Sequence, residues 1–286
     1  MLSGEDLVSG PIVRKRVGVV VSVATGMYLD YWKSLFQSYL RVYSDSTNQL
    51  DFVLFTDRTP DAEQWISAFD KEQVLVVPTQ PEPWPQASMN RYFVYREHRQ
   101  KLIHRGLPLI HLDADMAFER QISEELLASL TGIELALVEH PGFFRRHNWF
   151  EVFRSLPVRL VTKHLLGDIV QILRQGGIGA WERSRTSAAF VSWKKRRTYV
   201  CGGVWFASPQ RFEELVSDMC ERILEDQRNG VTALWHDESH LNAWFVDNES
   251  TTRLLDPSFC YASGFPHLLG IKPTILAVEK GPKRVR

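Results

Sequence analysis

Five short apolar runs, each parted from the next by a polar or helical stretch, frame the first half of the chain. They read VGVVVSV (17–23), DFVLFT (51–56), QVLVV (73–77), LPLIHL (107–112) and IELALV (133–138). Runs of this length, rich in β-branched residues, fit buried strands. Between them the apolar period changes. Tyr28, Trp32, Leu35, Phe36, Tyr39 and Tyr43 recur at helical spacing, a short helix passes through Trp65 and Phe69, and a helix is predicted over 89–104. Strands that alternate with helices require right-handed crossovers, so the expectation is an α/β fold with a largely parallel sheet. Such sheets bind ligands at the carboxyl ends of their strands.

The rest of the sequence narrows the class. At 286 residues, one large domain is expected, preceded by a loose leader (1–14). Lys plus Arg equals Asp plus Glu, 34 each, which argues against a nucleic-acid-binding protein. Hydrophobic residues make up 44% and charged residues 24%, an ordinary globular balance. Cys201, Cys220 and Cys260 are too few and too spread for a disulfide framework or a zinc knuckle. No apolar run reaches membrane-spanning length, so a soluble, cytoplasmic protein is expected. In the second half, Ser208 and Pro209 form an N-cap and first-turn pair. Phe212, Leu215, Val216, Met219, Ile223 and Leu224 follow at helical spacing, and Gly230 lies past the end. A second helical pattern over 157–175 carries Val161, Leu165, Ile169, Val170 and Leu173.

Four constellations could carry chemistry. Asp113 and Asp115 end an apolar strand, and residues two apart on a strand share a face. Together they can hold a hard or borderline divalent cation through oxygen, or they can be a polar loop. An aspartyl-phosphate reading wants a hydroxyl residue where Ala117 stands. The octapeptide WHDESHLN (235–242) crowds polar and aromatic groups at a helix start. There Asp237 and Glu238 suit the helix dipole, whereas Trp235 and the two histidines need another reason. His236 and His240 are four apart but have no third zinc ligand at a telling spacing. Gly202 and Gly203 interrupt the strand-like run YVCGGVWF (199–206), which marks either a bulge or the close approach of another group. Four cations in the last seven residues form a solvated tail or an arm that closes over phosphate.

Taken in order, these segments resemble glycosyltransferase family 6, the family of the histo-blood-group A and B transferases, α-1,3-galactosyltransferase and Forssman synthase. WHDESHLN matches the family's signature. VATGMY (23–28) is similar to its uridine-binding segment, FTD (55–57) to its second strand end, and WPQASM (84–89) with Arg91 to its mobile loop. DAD (113–115) is similar to its metal motif, HPGF (140–143) to an acceptor corner, and 199–206 to its donor-sugar segment. The likeness runs from about Val17 to Arg286.

The resemblance implies a GT-A type α/β fold, in which a Rossmann-like nucleotide-binding sheet is fused with a smaller acceptor-binding part. It implies a single catalytic domain over 15–286 with a basic closing tail at 279–286. The activity implied is metal-dependent, retaining transfer of N-acetylgalactosamine or galactose from a UDP-sugar to a β-galactoside, forming an α-1,3 bond. A catalytically silent UDP-sugar- or carbohydrate-binding protein on the same fold is the alternative. Asp113 and Asp115 would hold a divalent cation, manganese or similar, and Glu238 would be the catalytic carboxylate. Val23, Ala24, Tyr28, Arg91, Asp113, Ala114, Cys201, Gly202, Gly203, Asp237, Lys280 and Arg286 would contact the donor. His140, Trp235 and His236 would hold the acceptor. A small residue at Gly203 leaves room for an acetamido group, which leans the donor towards UDP-GalNAc over UDP-galactose.

The chain departs from the family pattern at three places. Tyr261 and Ala262 stand where the family has Trp-Asp, so an acceptor-side carboxylate is missing. An insert of about two dozen residues falls within about 145–180 and could pack, cap an acceptor, contact a second copy or touch a membrane. A soluble protein like the bacterial members is expected, without the membrane anchor of the animal Golgi members; a Golgi-lumen location would follow only if an anchor had been trimmed. Many of the bacterial members carry Asn-x-Asn, whereas this chain keeps both aspartates.

Overall fold

The computed structural model describes residues 14–70, 72–132, 134–144, 157–159, 162, 163, 166, 169, 170, 178–265 and 268–279. Most of the leader, most of the insert, and the tail with Lys280 and Arg286 lie outside the described residues. The first half reads β1 (Lys15–Val23), α1 (Tyr28–Val42), β2 (Asn48–Thr56), α2 (Thr59–Ile66), β3 (Val74–Pro78), α3 (Gln86–Glu97), α4 (Arg99–Ile103) and β4 (Leu109–Leu112). Then come β5 (Met116–Phe118), α5 (Glu124–Ser129) and β6 (Leu135–Glu139). The second half holds β7 (Val200–Ala207), α6 (Pro209–Arg228), α7 (His236–Asn248), β8 (Arg253–Leu255) and β9 (Ile275–Ala277). Seven strands form one sheet in the order β3-β2-β1-β4-β7-β6-β8, and β5 pairs with β9 beside it.

The alternation seen in the sequence is the alternation of the fold, with three corrections. First, the sheet is mixed. β3, β2, β1 and β4 are parallel, and so are β6 and β8, but β7 runs antiparallel to both β4 and β6. The reversal has a structural consequence: the start of β7, where Gly202 and Gly203 sit, meets the carboxyl end of β4, where Asp113 begins. Leu112 pairs with Val204, and the Asp113 N–H donates to the Gly203 carbonyl at 2.9 Å. Second, the helix predicted over 89–104 is two helices. His98 leaves helical geometry (φ −102°, ψ 15°), with its Nδ1 3.2 Å from the Val94 carbonyl oxygen. β2 also begins before Asp51, because Arg16 and Arg105 pair with that buried carboxylate and let it sit inside a strand.

Apolar side chains cover both faces of the sheet. On one face α1 packs its aromatic stripe: the Phe36 ring meets Phe52 at 5.0 Å, Trp32 at 5.6 Å and Phe69 at 5.6 Å between centroids. On the other face Tyr92, Tyr95, Phe212, Leu215, Leu241 and Trp244 of α3, α6 and α7 form a second cluster. α6 begins as its sequence predicts: the Ser208 hydroxyl accepts the Arg211 N–H and Pro209 follows, with Gly230 in a left-handed turn (φ 64°) beyond the end. Among the described positions, 158, 159, 162, 163, 166, 169 and 170 are helical, within the pattern read over 157–175.

One side chain ties α7 to β7. The Asn242 carboxamide accepts the Val200 N–H at 2.8 Å and donates to the Val200 carbonyl at 2.9 Å, as a neighbouring strand would, and also reaches the Glu238 carbonyl at 2.8 Å. Asn242→Leu strips two buried backbone groups of their partner. Urea unfolding should show a loss of about 3 kcal/mol; a loss below about 0.5 kcal/mol would mean that α7 is held by packing alone.

Candidate active site

The carboxyl ends of β1 and β4, the start of β7 and the first turn of α7 surround a cavity of about 610 Å³. Val23, Tyr28, Arg91, Asp113, Ala114 and Asp115 line it, as do Gly202, Gly203, Trp235, His236, Asp237 and Glu238. Twelve of the positions singled out in the sequence therefore converge. Three do not. Ala24 is fully buried in the core beneath α1. Cys201 packs in the same core beside Cys260; the β6–β7 register shifts across residues 201–204, so strict alternation does not carry through this stretch. His140 does not line the cavity: its ring lies 4.7 Å from Phe143 and 5.7 Å from Tyr199, with Nδ1 accepting the Gly142 N–H at 3.0 Å. Lys280 and Arg286 lie outside the described residues.

The two glycines are close-approach positions. A Cβ on Gly203 would stand 2.9 Å from the Asp113 Oδ2 and 2.8 Å from the Met116 Cε. A Cβ on Gly202 would stand 3.3 Å from the Glu238 Cβ. Bare backbone thus lets both carboxylates reach one stretch of β7. The Gly202 N–H donates to the Glu238 Oε2 at 2.9 Å and orients that acid.

Electrostatics set the three acids apart. Asp113 is half-buried, which alone would favour its protonated form, but Arg91 and His111 hold its pKa well below the usual carboxylate range. Arg91 Nη1 lies 2.5 Å from Asp113 Oδ1, and Arg91 Nε lies 3.7 Å from Asp237 Oδ2. Burial pushes Asp237 up to about 6 against the pull of Arg91. Burial pushes Glu238 up to about 7, with the Gly202 N–H and the Tyr199 hydroxyl opposing. A partly buried glutamate whose pKa is raised in a cleft is a mark of function.

Arg91 is itself held from behind, by residues to which the sequence reading assigned no role. Its Nη1 lies 2.8 Å from His111 Nε2, and His111 Nδ1 lies 2.9 Å from the Tyr95 hydroxyl. Arginine only donates, so His111 Nε2 accepts and the ring proton sits on Nδ1, facing Tyr95. Burial, then the nearby Arg91, lowers the His111 pKa, which agrees with a neutral ring despite an Asp113 oxygen 3.5 Å away. The signal was present in part, since His111 stands two before Asp113 on one strand. Tyr95 comes from a helix, and no local pattern links it.

The far wall is a clamped loop. Gly26 takes a left-handed conformation (φ 56°), and its N–H donates to Asp57 Oδ1 at 2.8 Å. Arg58 Nη1 donates to the Gly26 carbonyl at 3.2 Å. The loop presents Tyr28 half-exposed at the cavity. Opposite, His236 (φ 51°) turns its ring edge-on to exposed Trp84 at 4.6 Å. His240 instead is buried with Nε2 3.4 Å from Asp226, so the two histidines do not share a metal.

Asp113 and Asp115 offer oxygen ligands at the mouth of β4, the donor chemistry that magnesium and manganese favour. Among the described residues no group of three or more His, Cys, Asp or Glu forms a closed metal cage. Two carboxylates would hold such a cation only in part, leaving room for further oxygen ligands. A second cavity, about 680 Å³, lies across α3 and is lined by Glu82, Glu97 and His98 with no lysine or arginine. Its charge is wrong for a polyanion.

Residues 176–286 match the family model of glycosyltransferase family 6. Histo-blood group ABO system transferase 2 of Rattus norvegicus is 26% identical over 239 residues, 82% of this chain and 61% of that protein. Globoside alpha-1,3-N-acetylgalactosaminyltransferase 1 of Homo sapiens is 26% identical over 262 residues, 90% of this chain and 64% of that protein. Alpha-1,3-galactosyltransferase 2 of Homo sapiens is 30% identical over 107 residues, 37% of this chain and 31% of that protein. The chain spans roughly three fifths of the length of the first two relatives. The mixed α/β sheet with acids at its strand ends is the GT-A type arrangement, and in sequence the chain is similar to glycosyltransferase family 6 over residues 176–286 and to the transferases above over most of its length.

Proposed function

We propose that the chain is a metal-dependent, retaining glycosyltransferase that moves N-acetylgalactosamine or galactose from a UDP-sugar to a β-galactoside, forming an α-1,3 linkage. The observation that carries this reading is the convergence of Asp113, Asp115 and Glu238 around the Gly202–Gly203 backbone in one cavity. The relatives' names, with their transferases of N-acetylgalactosamine and galactose, support the sugar class.

The side chains divide the work as follows. Tyr28, on the loop clamped by Asp57 and Arg58, offers a ring face to the uracil. Asp113 and Asp115 would hold the divalent cation, which supplies Lewis-acid stabilisation of the departing diphosphate when bound. Arg91, fixed by His111, adds a cation at the same end. Glu238 presents its carboxylate to the opposite side of the donor sugar. As the bond to the diphosphate breaks, positive charge develops at the anomeric carbon, and a fixed anion there lowers the barrier. The raised pKa of Glu238 reflects burial before the substrate's charge arrives. Trp235 gives the acceptor sugar an apolar face. Room for an acetamido group does not come from the missing side chain of Gly203 itself, whose Cβ position is taken up by the Asp113 carboxylate and the Met116 methyl, so the choice between the two donors rests with the screen below.

The direct test is a donor screen, reading UDP release from each UDP-sugar with manganese and β-galactosides. Release from UDP-GalNAc or UDP-galactose that a chelator abolishes is expected; release confined to other nucleotide sugars would contradict the reading. Glu238→Gln should cut transfer by about 10²- to 10³-fold while leaving UDP affinity nearly unchanged. The same variant should gain thermal stability at high pH. The folded pKa of Glu238 lies above its unfolded value, so the parent loses stability as pH rises from about 4.5 through about 7. The melting temperatures of parent and variant should therefore diverge between pH 5 and pH 8 (about one carboxylate's worth), with the variant higher at pH 8; parallel curves would mean that Glu238 is not buried at a cost. Gly203→Ala pushes against the Asp113 carboxylate, so manganese-dependent UDP binding should weaken about 10- to 100-fold, alongside any change in donor preference. Unchanged UDP binding in calorimetry would show that the Asp113 position does not depend on the missing Cβ.

A further inference from the structure

Residues 183–197 carry six cations and no carboxylate, in a chain whose net charge is zero. The fold gathers this charge rather than dispersing it. Arg196 Nε donates to the Val191 carbonyl at 2.9 Å and its Nη2 to the Glu182 carbonyl at 3.3 Å, which brings the two ends of the segment together. Arg183 then lies close enough to repel Arg196. Arg183, Arg185, Lys194, Lys195 and Arg197 are exposed. Among the described residues the nearby acids do not neutralise the patch. Glu182 is turned inward, its carboxylate accepting the N–H groups of Arg183, Ser184 and Leu234. Asp247 is shared between Lys195 at 3.4 Å and Arg222 at 2.8 Å.

Aromatic and aliphatic side chains stand among these charges. Trp193 is 66% exposed, with Lys194 Nζ 5.9 Å from its ring centroid. The Glu182 contact brings Leu234, 52% exposed, and Trp235, 51% exposed, to the same edge, beside the cavity mouth. Upstream, the helical positions Val158, Leu166, Ile169 and Val170 are also exposed, with Arg159 and Lys163 interspersed. Clustered cations cost repulsion, and exposed tryptophan costs hydration. Both costs are relieved where lipid headgroups meet acyl chains: the anionic surface draws Lys and Arg, and indole rings settle at that depth.

We infer that the face formed by residues 182–197 and 234–235 docks on an anionic lipid bilayer. Among the described residues no helix is long and apolar enough to cross a membrane, so the attachment is peripheral. Binding here does not depend on the proposed reaction, although it would present the cavity mouth to acceptors carried on a membrane.

The test is flotation of the full chain with vesicles of phosphatidylcholine alone, or of phosphatidylcholine mixed equally with phosphatidylglycerol. At least about tenfold more protein should float with the anionic vesicles, and the difference should shrink with added salt. Lys194→Glu with Arg197→Glu should abolish the difference, and Trp193→Ala should reduce it severalfold. Both variants should keep the parent's manganese-dependent UDP affinity, since neither touches the cavity. Equal recovery with both vesicles, or anionic binding that survives the charge reversal, would overturn the inference. So would retention on heparin without flotation, which would assign the patch to a soluble polyanion. Flotation without UDP binding in the parent would leave the docking face standing and remove the proposed reaction instead.

Discussion

The site depends on one stretch of backbone without side chains. Gly202 and Gly203 let the Asp113 carboxylate and the Glu238 side chain lie close against β7, at distances where an added Cβ would force one of them to move. Glycine in a strand interior weakens the strand. Here the β4 and β6 ladders hold β7 beyond the glycines, the β6 register shifts across them, and the Asn242 carboxamide pairs with Val200 just before them. The antiparallel course of β7 matters equally. A parallel strand in that place would have carried its first residues to the opposite edge of the sheet, away from the end of β4.

Around that backbone the charges are arranged rather than merely assembled. Arg91 keeps Asp113 ionised and reaches towards Asp237, while at Glu238 burial outweighs the Gly202 N–H, the Tyr199 hydroxyl and the weaker pull of Arg91. Asp113 and Glu238 thus differ in readiness to lose a proton because the guanidinium lies directly against one and not the other. The Tyr95–His111 pair fixes where that guanidinium points, and its direction follows from arginine having no acceptor.

Much of this was legible in the sequence because it is local. The apolar runs fixed the strands to within a few residues, the Ser208-Pro209 pair marked a helix start, and WHDESHLN announced a crowded helix terminus. What escaped reading was non-local. Asp51 looked like a strand boundary because its partners, Arg16 and Arg105, are distant in sequence. His98 breaks a helix through a side chain facing its own backbone, where propensity alone predicts continuity. Cys201 was grouped with its glycine neighbours by position, whereas it packs in the core where the β6–β7 register shifts. His140 was assigned to the acceptor by motif; in the structure its ring contacts Phe143, Tyr199 and Gly142 and does not line the cavity.

The claim that Asp113, Asp115 and Glu238 serve one bound molecule is tested most directly by a crystal structure with UDP and manganese. Anomalous scattering should place the metal between the two aspartates, with the uracil against Tyr28 and the Glu238 carboxylate facing the open space beyond the diphosphate. Nucleotide bound elsewhere, or a metal remote from both aspartates, would contradict the account.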